Sequence, residues 1–71
     1  MSMYRAMYLQ NLAEADRHVA MGGQTIADQR ERVARLRGRG VDTTAAQALL
    51  ATFLELQGLH ELHRQVILRD L

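Results

Sequence analysis

The sequence contains no cysteine and no proline. Without cysteine there is no disulfide framework and no thiolate metal site, and without proline nothing forbids long uninterrupted helices. Lysine is missing too: all nine basic residues are arginine, a usage we read as that of a GC-rich bacterial genome. Tryptophan is absent, and Phe53, Tyr4 and Tyr8 are the whole aromatic complement. The apolar volume must therefore come from Leu, Ala, Val, Ile and Met, most of which favour helix. No apolar run approaches the ~18 residues of a membrane span, and no charged segment leads into an apolar stretch with a cleavage site. We expect a soluble, cytoplasmic protein with no membrane contact. A net charge of +1 lacks the strong basic bias of a nucleic-acid binder.

What is present is 71 residues, 48% of them hydrophobic, enough for one small domain spanning residues 1–71. From Tyr8 onward, Leu12, Ala15, Val19, Gly22, Ile26, Gln29, Val33 and Leu36 follow at alternating steps of four and three, the seam of a helix packed along its length. This predicts a first helix over about 4–37. Gly22 and Gly23 oppose it, since two glycines inside a helix cost on the order of 2 kcal/mol against alanine. The apolar phase survives them, however, so we expect a continuous helix, kinked at most. "RGRGVD", with Gly38 and Gly40, then supplies a left-handed helix end, and a loop over 38–42 follows. Two restart signals compete: Asp42 as N-cap with Val41 and Ala46 as a hydrophobic staple, or Thr44 with Gln47 as a capping box. A second helix over about 43–70 carries Ala46, Leu49, Phe53, Leu56, His60, His63 and Ile67 at three-four spacing.

Two helices joined by so short a loop fold back as an antiparallel hairpin. The expected fold is all-α. The second helix is apolar over more than one stripe: Leu49, Phe53, Leu56, Leu59, Leu62, Val66 and Ile67 all ask for burial, and one neighbour covers only about 100°. We therefore expect self-association through these residues, most simply a homodimer forming a four-helix bundle.

The candidate functional residues fall into two groups. In a hairpin turning near residue 40, position i faces about 80 minus i, which gathers His18, His60 and His63 at one level with Glu14 one turn from His18. Imidazoles three apart can ligate one ion, so a transition-metal site (zinc, copper, nickel or iron) formed by His18, His60, His63 and Glu14 is one reading. No Glu-x-x-His pattern accompanies them, and the simpler reading is packed imidazoles hydrogen-bonded to each other, to Gln57, Asn11 or Gln29, or to water. With that reading no cofactor is required. Neutral burial of His60 and His63 would make assembly sensitive to pH, with stability held above their unfolded value of about 6.5 and lost below it. The second group is Arg30, Arg32, Arg35, Arg37 and Arg39 near the loop. With Asp28 and Glu31 this segment carries +3, whereas residues 40–71 sum to −2. Arginine forks there offer a polar contact surface for an acidic protein or, as an RNA- or DNA-binding hairpin dimer, for phosphates. Helical pairing of Asp28 with Arg32 and Glu31 with Arg35 explains the same pattern without a partner, and nucleic acid is the less favoured partner. No nucleophile stands at a recognisable distance from a base and no phosphate loop follows a strand, so we expect no enzyme.

Gly40, Asp42, Thr43, Ala46, Leu49, Leu50, Phe53, His60, His63 and Arg64 follow the pattern G-x-D-T-x-x-A-x-x-L-L-x-x-F, then H-x-x-H-R. In these positions the chain resembles small uncharacterised α-helical hairpin proteins of α-proteobacteria, over about residues 13–68. The resemblance implies a helical hairpin and no particular activity. The expectation is a non-enzymatic, self-associating interaction or regulatory module with a homo-oligomeric and possible protein partner; the metal-binding bundle and the nucleic-acid-binding hairpin are its alternatives.

Overall fold

The seam from Tyr8 to Leu36 is carried on one unbroken helix. The computed structural model describes residues 3–71, in which α1 (Met3–Gly38) and α2 (Thr44–Asp70) pack side by side as an antiparallel hairpin. α1 runs through Gly22 and Gly23 without interruption. Every seam position from Tyr8 to Leu36 is at least half-buried, and Ala15, Ile26, Gln29 and Val33 are buried outright.

On α2 the seam differs from the expected one. The residues turned to α1 are Thr43, Ala46, Leu50, Phe53, Gln57, His60, Arg64 and Ile67. Ala46, Phe53, His60 and Ile67 keep their expected places, but Leu49, Leu56 and His63 are exposed, and Leu50, Gln57 and Arg64 stand in their stead. The physical reason is polar. Two series of alternating threes and fours share Ala46, Phe53, His60 and Ile67, and apolarity alone favours the one with Leu49 and Leu56. The hairpin takes the other because it gives Gln57 and Arg64 partners on α1.

Those partners fix the register. Gln57 Nε2 donates to the Val19 carbonyl at 2.8 Å, and Gln29 Nε2, from the opposite helix, donates to the Ala46 carbonyl at 2.9 Å. Gln57 also lies where a side chain on Gly22 would begin: a Cβ there would stand 1.9 Å from its Oε1. This close approach is the use of the glycine. At the open end Arg64 pairs with Asp16 on the surface.

α1 ends in a Schellman motif. The Val41 N–H donates to the Leu36 carbonyl at 3.0 Å, the Gly40 N–H to the Arg37 carbonyl at 3.1 Å, and Gly40 takes a φ of +69°. Gly38 remains helical. α2 starts on neither expected cap: Thr43 is the N-cap and makes no side-chain bond to the helix backbone, and the expected Asp42 and Gln47 bond around it instead. Asp42 Oδ1 accepts from both the N–H and the hydroxyl of Thr44 (3.0 and 2.7 Å), while Gln47 Nε2 reaches back to Thr43 Oγ1 at 2.9 Å. The first of these bonds satisfies one backbone donor that the first helical turn leaves open. The two bonds from Thr44 also hold the Asp42 carboxyl below its ordinary value, the Thr44 hydroxyl first and the Thr44 N–H second.

The product is a rod whose Cα extents are 58 × 14 × 12 Å, so its core is a single line of side chains. Neither helix is long and apolar enough to cross a membrane.

Candidate functional site

The register places one groove at mid-length. Gly22 has no side chain and Gln57 bends toward α1, which leaves a cavity of about 260 Å³ lined by His18, Met21, Thr25, Phe53, Leu56 and His60 as well. Its walls are largely apolar. His18 and His60 face each other across the seam with ring centroids 5.5 Å apart and planes tilted by 44°. Beside them Gln57 Oε1 is buried without a hydrogen-bond partner. Mid-length polar atoms on an apolar wall are what remains when the helix–helix seam is one side chain thick.

Of the expected metal set, the structure brings together His18 and His60. His63 lies one series further round α2 and is exposed, as is Glu14. Among the described residues no group of three or more His, Cys, Asp or Glu side chains is placed to hold a metal ion. In the single hairpin His63 is exposed, so paired buried imidazoles are not a feature of its own core. The chemistry open to the single chain is thus that of an imidazole pair at a groove mouth.

The arginines do not form one surface. Arg30 and Arg37 line a groove on one side of the hairpin with Gln47, Leu50 and Leu54, while Arg32 lines the other side with Gln29, Leu36 and Leu49. Arg35 pairs with Glu31 at 3.8 Å, one helical turn away, both side chains well exposed. Arg39 sits in the turn, where its N–H closes the end of α1 on the Arg35 and Leu36 carbonyls. The expected i, i+4 pairing of Asp28 is instead with Gln24, at 2.8 Å.

The larger feature is on α2. Turned about 100° from the hairpin seam, the positions 45, 49, 52, 56, 59, 63 and 66 form a second series at alternating steps of four and three. Leu49, Leu56, Leu59 and Val66 in it are exposed, Leu59 by 62%. Leu62 lies just beyond them and is exposed as well. Of the residues expected for packing, Phe53 and Ile67 are turned to α1, and these five are exposed. The polar ties of Gln57 and Arg64 were missed by sequence reasoning, which named Gln57 only as a partner for the imidazoles; the signal for Gln57 was a glutamine level with a glycine on the facing helix.

Compared with protein-family models, with curated proteins and with solved structures, the chain finds no match.

Proposed function

We propose that the chain is a non-enzymatic interaction module that works by self-association, α2 offering its second apolar series to another copy of the hairpin. The observation that carries this is the surface left open. The hairpin exposes 5452 Å² at 8.0 kDa, whereas a folded monomer of that mass exposes about 4,450 Å², so roughly 1,000 Å² is in excess. A stable interface covers about 800 Å² on each partner, which is the same order. A helix with two apolar series about 100° apart suits a bundle, where each helix has two neighbours. A regulatory role in the cytoplasm belongs to the same reading.

Native mass spectrometry and sedimentation equilibrium on untagged protein test it. Dimers or tetramers at micromolar concentration support the proposal; a strict monomer there overturns it.

The His18–His60 pair favours a second reading, a metal-binding bundle. Two imidazoles at this separation can share one transition-metal ion, with a second copy completing the ligand set. An added metal mass in the same spectrum, lost in His60→Ala, supports that reading. A spectrum at bare polypeptide mass after equilibration with zinc rules it out.

A further inference from the structure

The self-association reading leaves open how the two copies lie, and the second series on α2 speaks to that. We infer that two hairpins associate about a two-fold axis with their α2 helices antiparallel, centred between residues 57 and 58. This inference rests on the self-association reading.

The series is self-complementary about that centre. Run antiparallel, Leu49 meets Val66 of the second copy, Thr52 meets His63, and Leu56 meets Leu59. Large apolar residues oppose one another and the two polar residues oppose each other, and a charge meets the series only at its end, where Ala45 comes opposite Asp70. An isologous interface requires this reciprocity. The contact from Leu49 to Val66 runs about 26 Å along the helix at 1.5 Å per residue, well inside the 58 Å rod.

The same axis is consistent with α1. In the hairpin, Gln57 bonds to Val19 and His18 faces His60, so the level of residues 57–58 on α2 is the level of residues 18–21 on α1. The groove lined by His18, Met21, Leu56 and His60 thus faces its own copy across the axis. Met21, 66% exposed at the rim, comes level with His18 of the second copy, where an unbranched thioether can fill an irregular groove.

Charge selects the orientation. Parallel copies would stack two loop ends, each with Arg30, Arg32, Arg35, Arg37 and Arg39 and a net +3 over residues 28–39. Antiparallel copies separate these ends by the length of the rod. They lay Arg32 and Arg35 at the levels of Met7 and Tyr4 of the second copy, exposed residues that take up an arginine stem or guanidinium face.

The absence of native cysteine makes the test clean. Leu49→Cys and Val66→Cys are prepared separately, with tags of different mass, then mixed, exchanged and oxidised. In the antiparallel register the two positions are opposite in the mixed dimer. Within either variant alone the thiols are 17 residues out of register, about 26 Å, beyond disulfide reach. The expected result is disulfide-linked heterodimer in the mixture and none in either variant alone. Thr52→Cys mixed with His63→Cys repeats the test at positions whose loss removes little apolar surface, with helicity checked by circular dichroism. Linkage within each variant alone overturns the antiparallel arrangement. No linkage in any sample, with native mass spectrometry still reporting a dimer, shows that another face is used and overturns the inference while self-association stands. A monomer in that spectrum removes both.

Discussion

Adding one methyl group at Gly22 or at Gly23 is nearly the same change chemically, and the hairpin predicts opposite outcomes. Gly23 is exposed on α1, and a Cβ there meets Gln57 Nε2 at 3.9 Å, an ordinary contact. Gly23→Ala therefore gains the helix propensity of alanine, about 1 kcal/mol, for a chain of this size a rise in Tm of roughly 4–8 °C. Gly22→Ala has the same propensity gain, but its Cβ would fall 1.9 Å from Gln57 Oε1 and 2.9 Å from Cδ. The Gln57 amide must leave, and with it the bond to the Val19 carbonyl. Losing a part-buried hydrogen bond and stranding its partner costs about 1–3 kcal/mol. The amide ends a flexible side chain beside an open groove, so we place the net effect between neutral and about 2 kcal/mol destabilising, again by that scale. The double-mutant cycle sharpens the prediction. Gln57→Ala alone destabilises, and in its presence Gly22→Ala becomes stabilising, a coupling of about 1–3 kcal/mol. Urea and thermal unfolding followed by circular dichroism would measure all four variants at one fixed protein concentration, because any association makes Tm depend on concentration. Equal stabilisation by Gly22→Ala and Gly23→Ala, or an additive cycle, would refute the assignment of Gly22 as a seat for Gln57.

Other outcomes follow from the turn and the surface. Gly40→Ala forces a side chain into the left-handed conformation seen at φ +69°, and should destabilise by about 1–2 kcal/mol, whereas Gly38→Ala, which is helical, should stabilise; chemical denaturation separates them. The Asp42 carboxyl should titrate below 3.8 in a pH series of carboxyl NMR shifts. Since its folded value is lowered, its contribution is present above the unfolded value and lost as pH falls through the folded one, so the first turn of α2 should fray under acid before the rest. An Asp42 titration at or above 3.8 would contradict that. Asp16→Ala or Arg64→Ala should change stability by less than about 1 kcal/mol, because the pair is exposed, and 1 M salt should remove most of that difference; a larger loss would mean the pair does more than close the open end.

Much of the fold could be read from the residues. The alternating threes and fours from Tyr8 to Leu36 gave the whole hairpin face of α1, because a helix with one apolar stripe has one way to turn. The preserved phase across Gly22 and Gly23 correctly predicted continuity, and Gly40 with Val41 and Leu36 carried the Schellman ending. α2 was harder for a definite reason: with two adjacent apolar series, hydropathy does not say which one meets α1. Polar complementarity decides, chiefly through Gln57 against Val19 and Gly22, with the exposed Arg64–Asp16 pair adding little, and these are pairings between residues 35 to 48 apart in sequence. The histidines show the same limit. His18 and His60 meet because His60 lies on the seam and His18 flanks it at the same level, and His63 does not because the seam is the other series. The arginine run was legible as a local charge excess, but its division between two sides of the hairpin follows from helical phase rather than from its count.

The two glutamine ties have a consequence for the turn between the helices. A seam of aliphatic residues repeating every seven is a ruler with identical marks, and two such helices could slide by one repeat, about 10 Å, and still match. In many hairpins the connection prevents this by being short and stiff. Here Gln57 has one notch to enter, at Gly22, and Gln29 one carbonyl to reach, at Ala46, so alignment is set along the rods themselves. Residues 39–43 are thereby relieved of measuring length. A lengthened or replaced turn should leave the helices in step, which makes that end of the rod the natural place to graft a peptide or to cut and rejoin the chain.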